Sequence, residues 1–279
     1  MLAISLGLLA ALGWGTHDFL VRWIAPGTRV LPQVTVVMGV AALLLMPVLA
    51  LTDLPHADGL GIGLAVAAGV VYFIAAWSLF AAFARAPART VVPVIGAYPL
   101  PALAMAAAQG HAVGALAWLA AGLIALGLDV GASCRRQERQ PQRWAALGFS
   151  VIAGLGLAIS FTLGQAAALR IDGLAAPAIS RIAAALASGL ALMGQREALP
   201  SFRGQGRVLL AMGLMDAVAL TAVMAAGTLT LAHFASVASA MYGMVTVTLA
   251  AIFLGEAVNR RQALGLALVF AGIAVLAAG

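Results

Sequence analysis

Ten apolar stretches, each about as long as a membrane crossing, are separated by short polar gaps, and this pattern leaves little choice of fold. A hydrocarbon core of ~30 Å is crossed by roughly 20 apolar residues in a helix. Inside lipid only a helix or a closed barrel satisfies its own backbone hydrogen bonds. The stretches are Leu2–Val21, Val30–Leu51, Gly59–Ala84, Val91–Gln109, Ala112–Ser133, Trp144–Leu169, Leu174–Gly194, Val208–Leu231, Ser236–Gly255 and Gln262–Ala278. They are rich in Ala and Leu and lack the two-residue alternation of membrane strands. The expectation is an all-α polytopic membrane protein of ten transmembrane helices.

Composition removes most other classes. Charged residues make up 9% of the chain and apolar ones 64%, whereas a soluble domain carries roughly 25% charge. The net charge of +6 does not imply nucleic acid, because the arginines stand singly or in short clusters between stretches, with no aromatic-basic module. Lysine is absent, so a P-loop, a Schiff base and a Ser–Lys dyad are impossible. Cys134 is the only cysteine, which excludes an internal disulfide and a Cys-based zinc site. No His-Glu-x-x-His occurs, and no cofactor is expected. Leu2–Val21 lacks a positive leading region and a small-residue cleavage site, so it is expected to be a first span rather than a signal peptide.

An intramembrane enzyme is the chemical alternative. Membrane aspartyl proteases need aspartates in Tyr-Asp and Gly-x-Gly-Asp settings, but Asp129 follows Leu126-Gly127-Leu128 and Asp216 follows Gly213-Leu214-Met215. A rhomboid-like pair would have to use Ser188 without the usual glycine-serine loop.

The two halves share one register. Pro32 meets Pro177 (177 − 32 = 145), and the same shift brings Gly110 onto Gly255 and Gly127 onto Gly272. Leu12, Leu119 and Leu123 meet Leu157, Leu264 and Leu268. Prolines and glycines at one constant offset are a stronger signal than leucines in so apolar a chain. The halves are 1–133 and 144–279, and the Arg-rich segment 134–143 is the linker between them. Five spans per half is an odd number, so the second half inserts upside down. Inverted repeats recur in secondary transporters, with the substrate site at the repeat interface near the midplane. A duplicated membrane protein that does not transport, a channel and a regulatory membrane component are the alternatives.

Charge sets the expected orientation. Arg22, Arg29, Arg85, Arg89, Arg135, Arg136, Arg139, Arg143, Arg196, Arg203, Arg207, Arg260 and Arg261 follow the odd-numbered spans, which is 13 of the 15 basic residues. Arg170 beside Asp172, the acidic Asp53 and Asp58, and both termini fall on the other side. Arginine-rich loops stay in the cytoplasm, so both ends are expected outside, in a bacterial-type inner membrane.

Ionisable groups within spans each require a reason, because burying one in lipid costs several kcal/mol unless it is paired or hydrated. Asp216 stands nine residues past Arg207, roughly 13 Å into span 8. It can bind a substrate amine or a coupling proton, or serve as a structural carboxyl between helices. Arg181 stands early in span 7 and can hold a substrate carboxylate or snorkel to the outer surface, the expected choice. Trp14, His17 and Asp18 share one side of span 1, where His17 is a gate residue, a substrate ligand or a hydrated interfacial group. Ser236, Ser239, Tyr242 and Thr246 form a polar stripe on span 9 that binds substrate or joins helices.

Tyr242 is in register with Ala97, next to Tyr98, so two tyrosines from opposite halves would face one cavity. Tyr72, Trp77 and Ser78 in span 3, with Phe161 and Gln165 in span 6, complete a candidate aromatic box for an apolar side chain and a polar head. Trp23, Trp118 and Trp144 are assigned to interfacial anchoring. Ala102, Ala106 and Gly110 form a small-residue ladder for close helix approach. Asn259 and Gln262 form a capping-box-like start for span 10. Glu256 is expected to pair with Arg260 or Arg261 or to bind backbone amides, and Asp129 to pair with Arg135 or Arg136.

Several of these residues carry a family resemblance. Ser236-Val237-Ala238, Leu254-Gly255-Glu256, Gln262, Gly265 and Ala271-Gly272 in the last sixty residues, with Trp14-Gly15, Pro93 and Arg181, resemble the EamA-type repeat of the drug/metabolite transporter superfamily. The resemblance spans both halves. It departs at His111, where the first repeat usually carries Glu, and at Val36, the counterpart of Arg181, so those charges act from the second half only. The resemblance implies a secondary carrier of small metabolites, often an exporter of amino acids, with the aromatic amino-acid exporters as one branch. Nucleotides, sugars and drugs are the other solute classes. It implies a small-molecule substrate and lipid as partners, no nucleic acid, and a monomer or homodimer. The aromatic and polar candidates would line a cavity among spans 1, 3, 4, 6, 8 and 9, with spans 5 and 10 as scaffold.

Overall fold

A computed structural model describes residues 2–52, 58–108, 114–135, 142–199, 202–227, 239 and 241–278. Among them all regular structure is helical. The helices are α1 (Leu2–Ile24), α2 (Val30–Leu51), α3 (Gly59–Phe83), α4 (Ala88–Gly96), α5 (Pro99–Ala108), α6 (Ala115–Arg135), α7 (Arg143–Ala168), α8 (Ala175–Gln195), α9 (Arg207–Gly227), α10 (Tyr242–Leu254) and α11 (Arg260–Ala278). A π-helical turn, Phe202–Gly206, leads into α9. Five helical segments are long and apolar enough to cross a membrane by length and composition: Val30–Leu51, Gly59–Phe83, Arg143–Ala168, Ala175–Gln195 and Gly204–Ala222. Large apolar side chains such as Leu43, Leu186, Leu190, Ile252 and Phe253 lie on the outside. Apolar surface this extensive is what a lipid-facing exterior requires.

Most helix boundaries fall within three residues of the hydropathy limits, because the same polar gaps end the apolar run and the helix. The fourth stretch differs. Expected as one span from Val91 to Gln109, it is broken into α4 and α5 by a turn at Ala97 and Tyr98. Pro99 lacks an N–H and disfavours helical geometry at the residue before it, and Gly96 precedes the turn. The ninth stretch is described as helix from Tyr242, with Ser239 also helical; Ser236 and the residues around it lie outside the described residues. So do Asp53, His111, Gly110 and most of the linker, while the side chains of Asp129, Cys134, Ala102 and Ala106 are not described.

Helix α10 ends at Gly255, whose φ of +64 is the left-handed cap that glycine adopts without penalty. Gln262 N–H then donates to Asn259 Oδ1 at 2.8 Å and Asn259 N–H to Gln262 Oε1 at 3.1 Å, the reciprocal cap expected for the start of α11.

Helix packing repeats across the halves. Shifting Val30–Leu51 by 145 places it on Ala175–Gln195, and Ala115–Arg135 falls on the helix from Arg260 to Ala278. Helix α1 packs on α9 and its counterpart α7 packs on α3; α2 packs on α9 as α8 packs on α3; α2 packs on α8 and α6 on α11. The α6–α11 contact repeats at single residues. A Cβ on Gly127 would lie 2.6 Å from the Gly265 carbonyl oxygen and 2.8 Å from Val269. A Cβ on Gly272 would lie 2.8 Å from the Ala120 carbonyl oxygen and 2.7 Å from Ile124. Each of these contacts is the other moved by the repeat offset, and neither backbone approach tolerates a side chain.

Candidate functional site

Four helices bring one carboxylate and its partners together. Helix α3 approaches α8 closely because Gly69 lies directly against the Ser180 carbonyl, which places Tyr72, one turn on, beside Arg181. Helix α1 approaches α9 through Gly13, whose Cβ would lie 3.1 Å from Ala219, and this seats Trp14 beside Asp216. Asp216 Oδ2 accepts from Arg181 Nε at 2.9 Å, and Oδ1 accepts from Arg181 Nη2 at 3.3 Å, Tyr72 OH at 3.1 Å and Trp14 Nε1 at 3.2 Å. The guanidinium carbon lies 3.7 Å from the centroid of the Tyr72 ring, so its face meets the aromatic quadrupole while its edge meets the carboxylate.

Arg181 is 4% and Asp216 1% exposed. Arg181 therefore does not snorkel as expected. A bidentate partner and an aromatic face replace water for a planar, weakly hydrated guanidinium, and the stem turns inward. Among the described residues this is the deepest ion pair.

One turn further along α1, His17 Nδ1 and Asp18 Oδ1 lie 3.0 Å apart, both groups buried. The imidazole meets the edge of Phe80 at 6.1 Å between centroids. Thr246 Oγ1 donates to the Gly15 carbonyl at 3.0 Å, tying α10 to α1. Tyr242, half-buried at the start of α10, is within electrostatic reach of Asp18 and Tyr98. Tyr98 stacks edge-on against Phe161 at 5.6 Å, joining the α4–α5 turn to α7.

Other candidates stand apart from this centre. Trp77 packs edge-on against Phe149 at 5.6 Å, with Arg85 over the other partner of that pair at 4.7 Å. Gln165 is exposed on α7. Ser78 is fully buried, and its hydroxyl has no hydrogen-bond partner among the described residues. Ser239 is helical and half-buried. A cavity of about 290 Å³ lined by Thr28, Arg29, Pro32, Gln33, Ala198 and Gln205 shares no residue with the charged centre.

Glu256 departs from expectation in its partner. Arg22 Nε donates to Glu256 Oε1 at 2.6 Å, Arg22 Nη1 donates to the Phe83 carbonyl at 2.9 Å, and the Ala88 N–H donates to Glu256 Oε2 at 2.7 Å. The left-handed turn at Gly255 carries Glu256 toward the start of α4, where Pro87 supplies no side-chain cap. The carboxylate fills that role at the positive end of the helix. This contact was not apparent from spacing, because Arg260 and Arg261 are close in sequence while Arg22 is close only in space. On the opposite side, Arg170 pairs with Asp58 at 2.9 Å rather than with Asp172, which caps α8 through the Leu174 N–H at 2.8 Å.

These helices, several of them long and apolar enough to cross a membrane, hold a buried ion pair between them. Comparison with known proteins gives the family. The model of the EamA-like transporter family matches residues 1–130 and again residues 144–278. The chain belongs to the EamA-like transporter family; it is a multi-pass membrane transporter of small solutes and not an enzyme. No curated protein matches the chain. Among the solved structures that resemble it is a crystal structure with a TM-score of 0.65 and 16% identity, over 98% of this chain and 95% of that one, a likeness of fold.

Proposed function

We propose that the chain is a secondary carrier moving neutral or aromatic amino acids outward across a bacterial-type inner membrane by alternating access. Its two five-helix repeats, 1–133 and 144–279, are inverted relative to each other and joined by a cytoplasmic Arg-rich linker, 134–143. Both termini lie outside, and the repeats rock about the buried centre. The carrier works as a monomer or homodimer in lipid.

The observation that carries this reading is the convergence of Trp14, Tyr72, Arg181 and Asp216 from both halves. A zwitterion presents a carboxylate and an ammonium, the two charges that Arg181 and Asp216 now satisfy for each other. An amino acid entering between them gives each a new partner without leaving an unpaired charge, and Trp14, Tyr72, Tyr98, Phe161 and Tyr242 offer rings for its side chain. Outward direction is proposed because carriers of the resembled type are often exporters. Counterflow in proteoliposomes preloaded with unlabelled amino acids tests the reading: saturable, competable exchange of a radiolabelled neutral or aromatic amino acid is expected. Silence across the amino-acid panel with folded protein, together with exchange of a nucleotide, sugar or cationic drug, would overturn the substrate class.

A further inference from the structure

We propose that His17 and Asp18 form a proton-binding site in the core, separate from the Arg181–Asp216 pair, through which a proton gradient drives the carrier; the coupling part of this proposal rests on the transport reading above. Consecutive residues on a helix point about 100° apart, so a 3.0 Å contact between positions 17 and 18 needs the Asp18 side chain turned along the helix toward the imidazole. The arginines that could otherwise neutralise Asp18 are engaged. Arg181 holds Asp216, and Arg22, four residues along the same helix, holds Glu256 and the Phe83 carbonyl. Among the described residues His17 is the only basic group in ion-pair distance of Asp18.

The surroundings make this pair the pH-responsive charge of the core. Asp216 faces it from α9, Tyr242 from α10 and Tyr72 from α3, with Arg181 of α8 behind Asp216. Each Arg–carboxylate pair is neutral at ordinary pH. The His17–Asp18 pair carries −1 with a neutral imidazole and no net charge with an imidazolium. A site closed to water favours the neutral form, because an isolated charge in low dielectric is costly, and a site opened to water can hold either.

The route of the proton is set by the ring. Nδ1 is held by Asp18, while Nε2 is buried and has no hydrogen-bond partner among the described residues. A proton from water adds to Nε2 when the core opens on one side, the Nδ1–H remaining donated to Asp18, and the same Nε2–H bond breaks to water when it opens on the other.

Histidine-selective isotope labelling tests the site without any substrate. The chain has 4 histidines, and single His→Gln replacements of His17, His56, His111 and His233 assign their signals in lipid nanodiscs, by elimination if one variant fails to fold. The His17 ring-nitrogen signals are expected to report protonation at Nε2 on acidification, and Asp18→Asn to change that response. Ring signals indifferent to pH, or a response unchanged in Asp18→Asn, would overturn the proposal. Coupling is then read in proteoliposomes with radiolabelled phenylalanine. His17→Gln and Asp18→Asn are each expected to lower the ratio of gradient-driven uptake to counterflow to its value without a gradient; a ratio equal to wild type in both would overturn the coupling. No phenylalanine counterflow in wild type would count against the amino-acid reading alone, since the titration decides the proton site independently.

Discussion

A carboxylate taken from water into a helix bundle is stable only when donors replace its hydration, and Asp216 receives four from three helices. Removing one side of the Arg181–Asp216 pair leaves the other charge buried and unpaired, which costs about 3–5 kcal/mol. Arg181→Gln and Asp216→Asn are each expected to lower the thermal midpoint sharply and abolish transport. The double variant, carrying two neutral amides that can bond each other, is expected to recover much of the stability and none of the transport. A double variant as unstable as the singles would show that the residues do not act as a pair. Tyr72→Phe keeps the ring under the guanidinium and loses one hydrogen bond to a charged group, about 1.5–3 kcal/mol, measurable as a lower midpoint and weaker substrate binding. Asp216, Trp14 and Tyr72 were legible because a carboxylate or a large polar aromatic is conspicuous in an apolar run. The inward turn of Arg181 was not, since sequence does not say which way a long flexible stem points. The outward placement of Gln165 and the packing of Trp77 on Phe149 depend on helix rotation, which hydropathy leaves open.

Helix packing rests on backbone approaches that single methyl groups can test. Gly127→Ala places a Cβ 2.6 Å from the Gly265 carbonyl oxygen and is expected to cost about 1–3 kcal/mol as overpacking. Gly122, on the same helix, has open space around its Cβ position. Gly122→Ala is therefore expected to be neutral or to gain up to about 1 kcal/mol in helix propensity. Equal midpoints for the two variants would contradict the α6–α11 packing.

At the loop ends, Arg170 at 2.9 Å holds the Asp58 carboxyl below its ordinary range, aided by the Leu60 N–H. A depressed folded-state value means the pair stabilises fully above about pH 4, the unfolded value, and fades as pH falls through the folded one. The midpoint difference between wild type and Asp58→Asn is expected to be small, because both side chains are exposed, and to vanish in acid. Element limits were readable because polar gaps end both the apolar run and the helix. The break at Pro99 was signalled by Pro and Gly yet masked by continuous hydropathy, and Glu256 was assigned to neighbours in sequence because its partner Arg22 lies 234 positions away.

At the scale of the whole molecule, the constant offset seen in the sequence reappears as equivalent helix pairings. The offset is readable in sequence because repeated prolines and glycines mark repeated backbone needs. Orientation can be tested with the single cysteine. Cys134 opens the Arg-rich linker, and a membrane-impermeant thiol reagent is expected to label it in inside-out vesicles and not in intact spheroplasts; the reverse pattern would invert the topology. The most direct test of the central claim, a carrier built around the Arg181–Asp216 centre, is counterflow of radiolabelled phenylalanine in proteoliposomes, comparing wild type with the stability-recovered Arg181→Gln/Asp216→Asn variant. Saturable exchange by wild type and none by the folded variant is the expected result; equal exchange by both would show that transport does not depend on the Arg181–Asp216 centre.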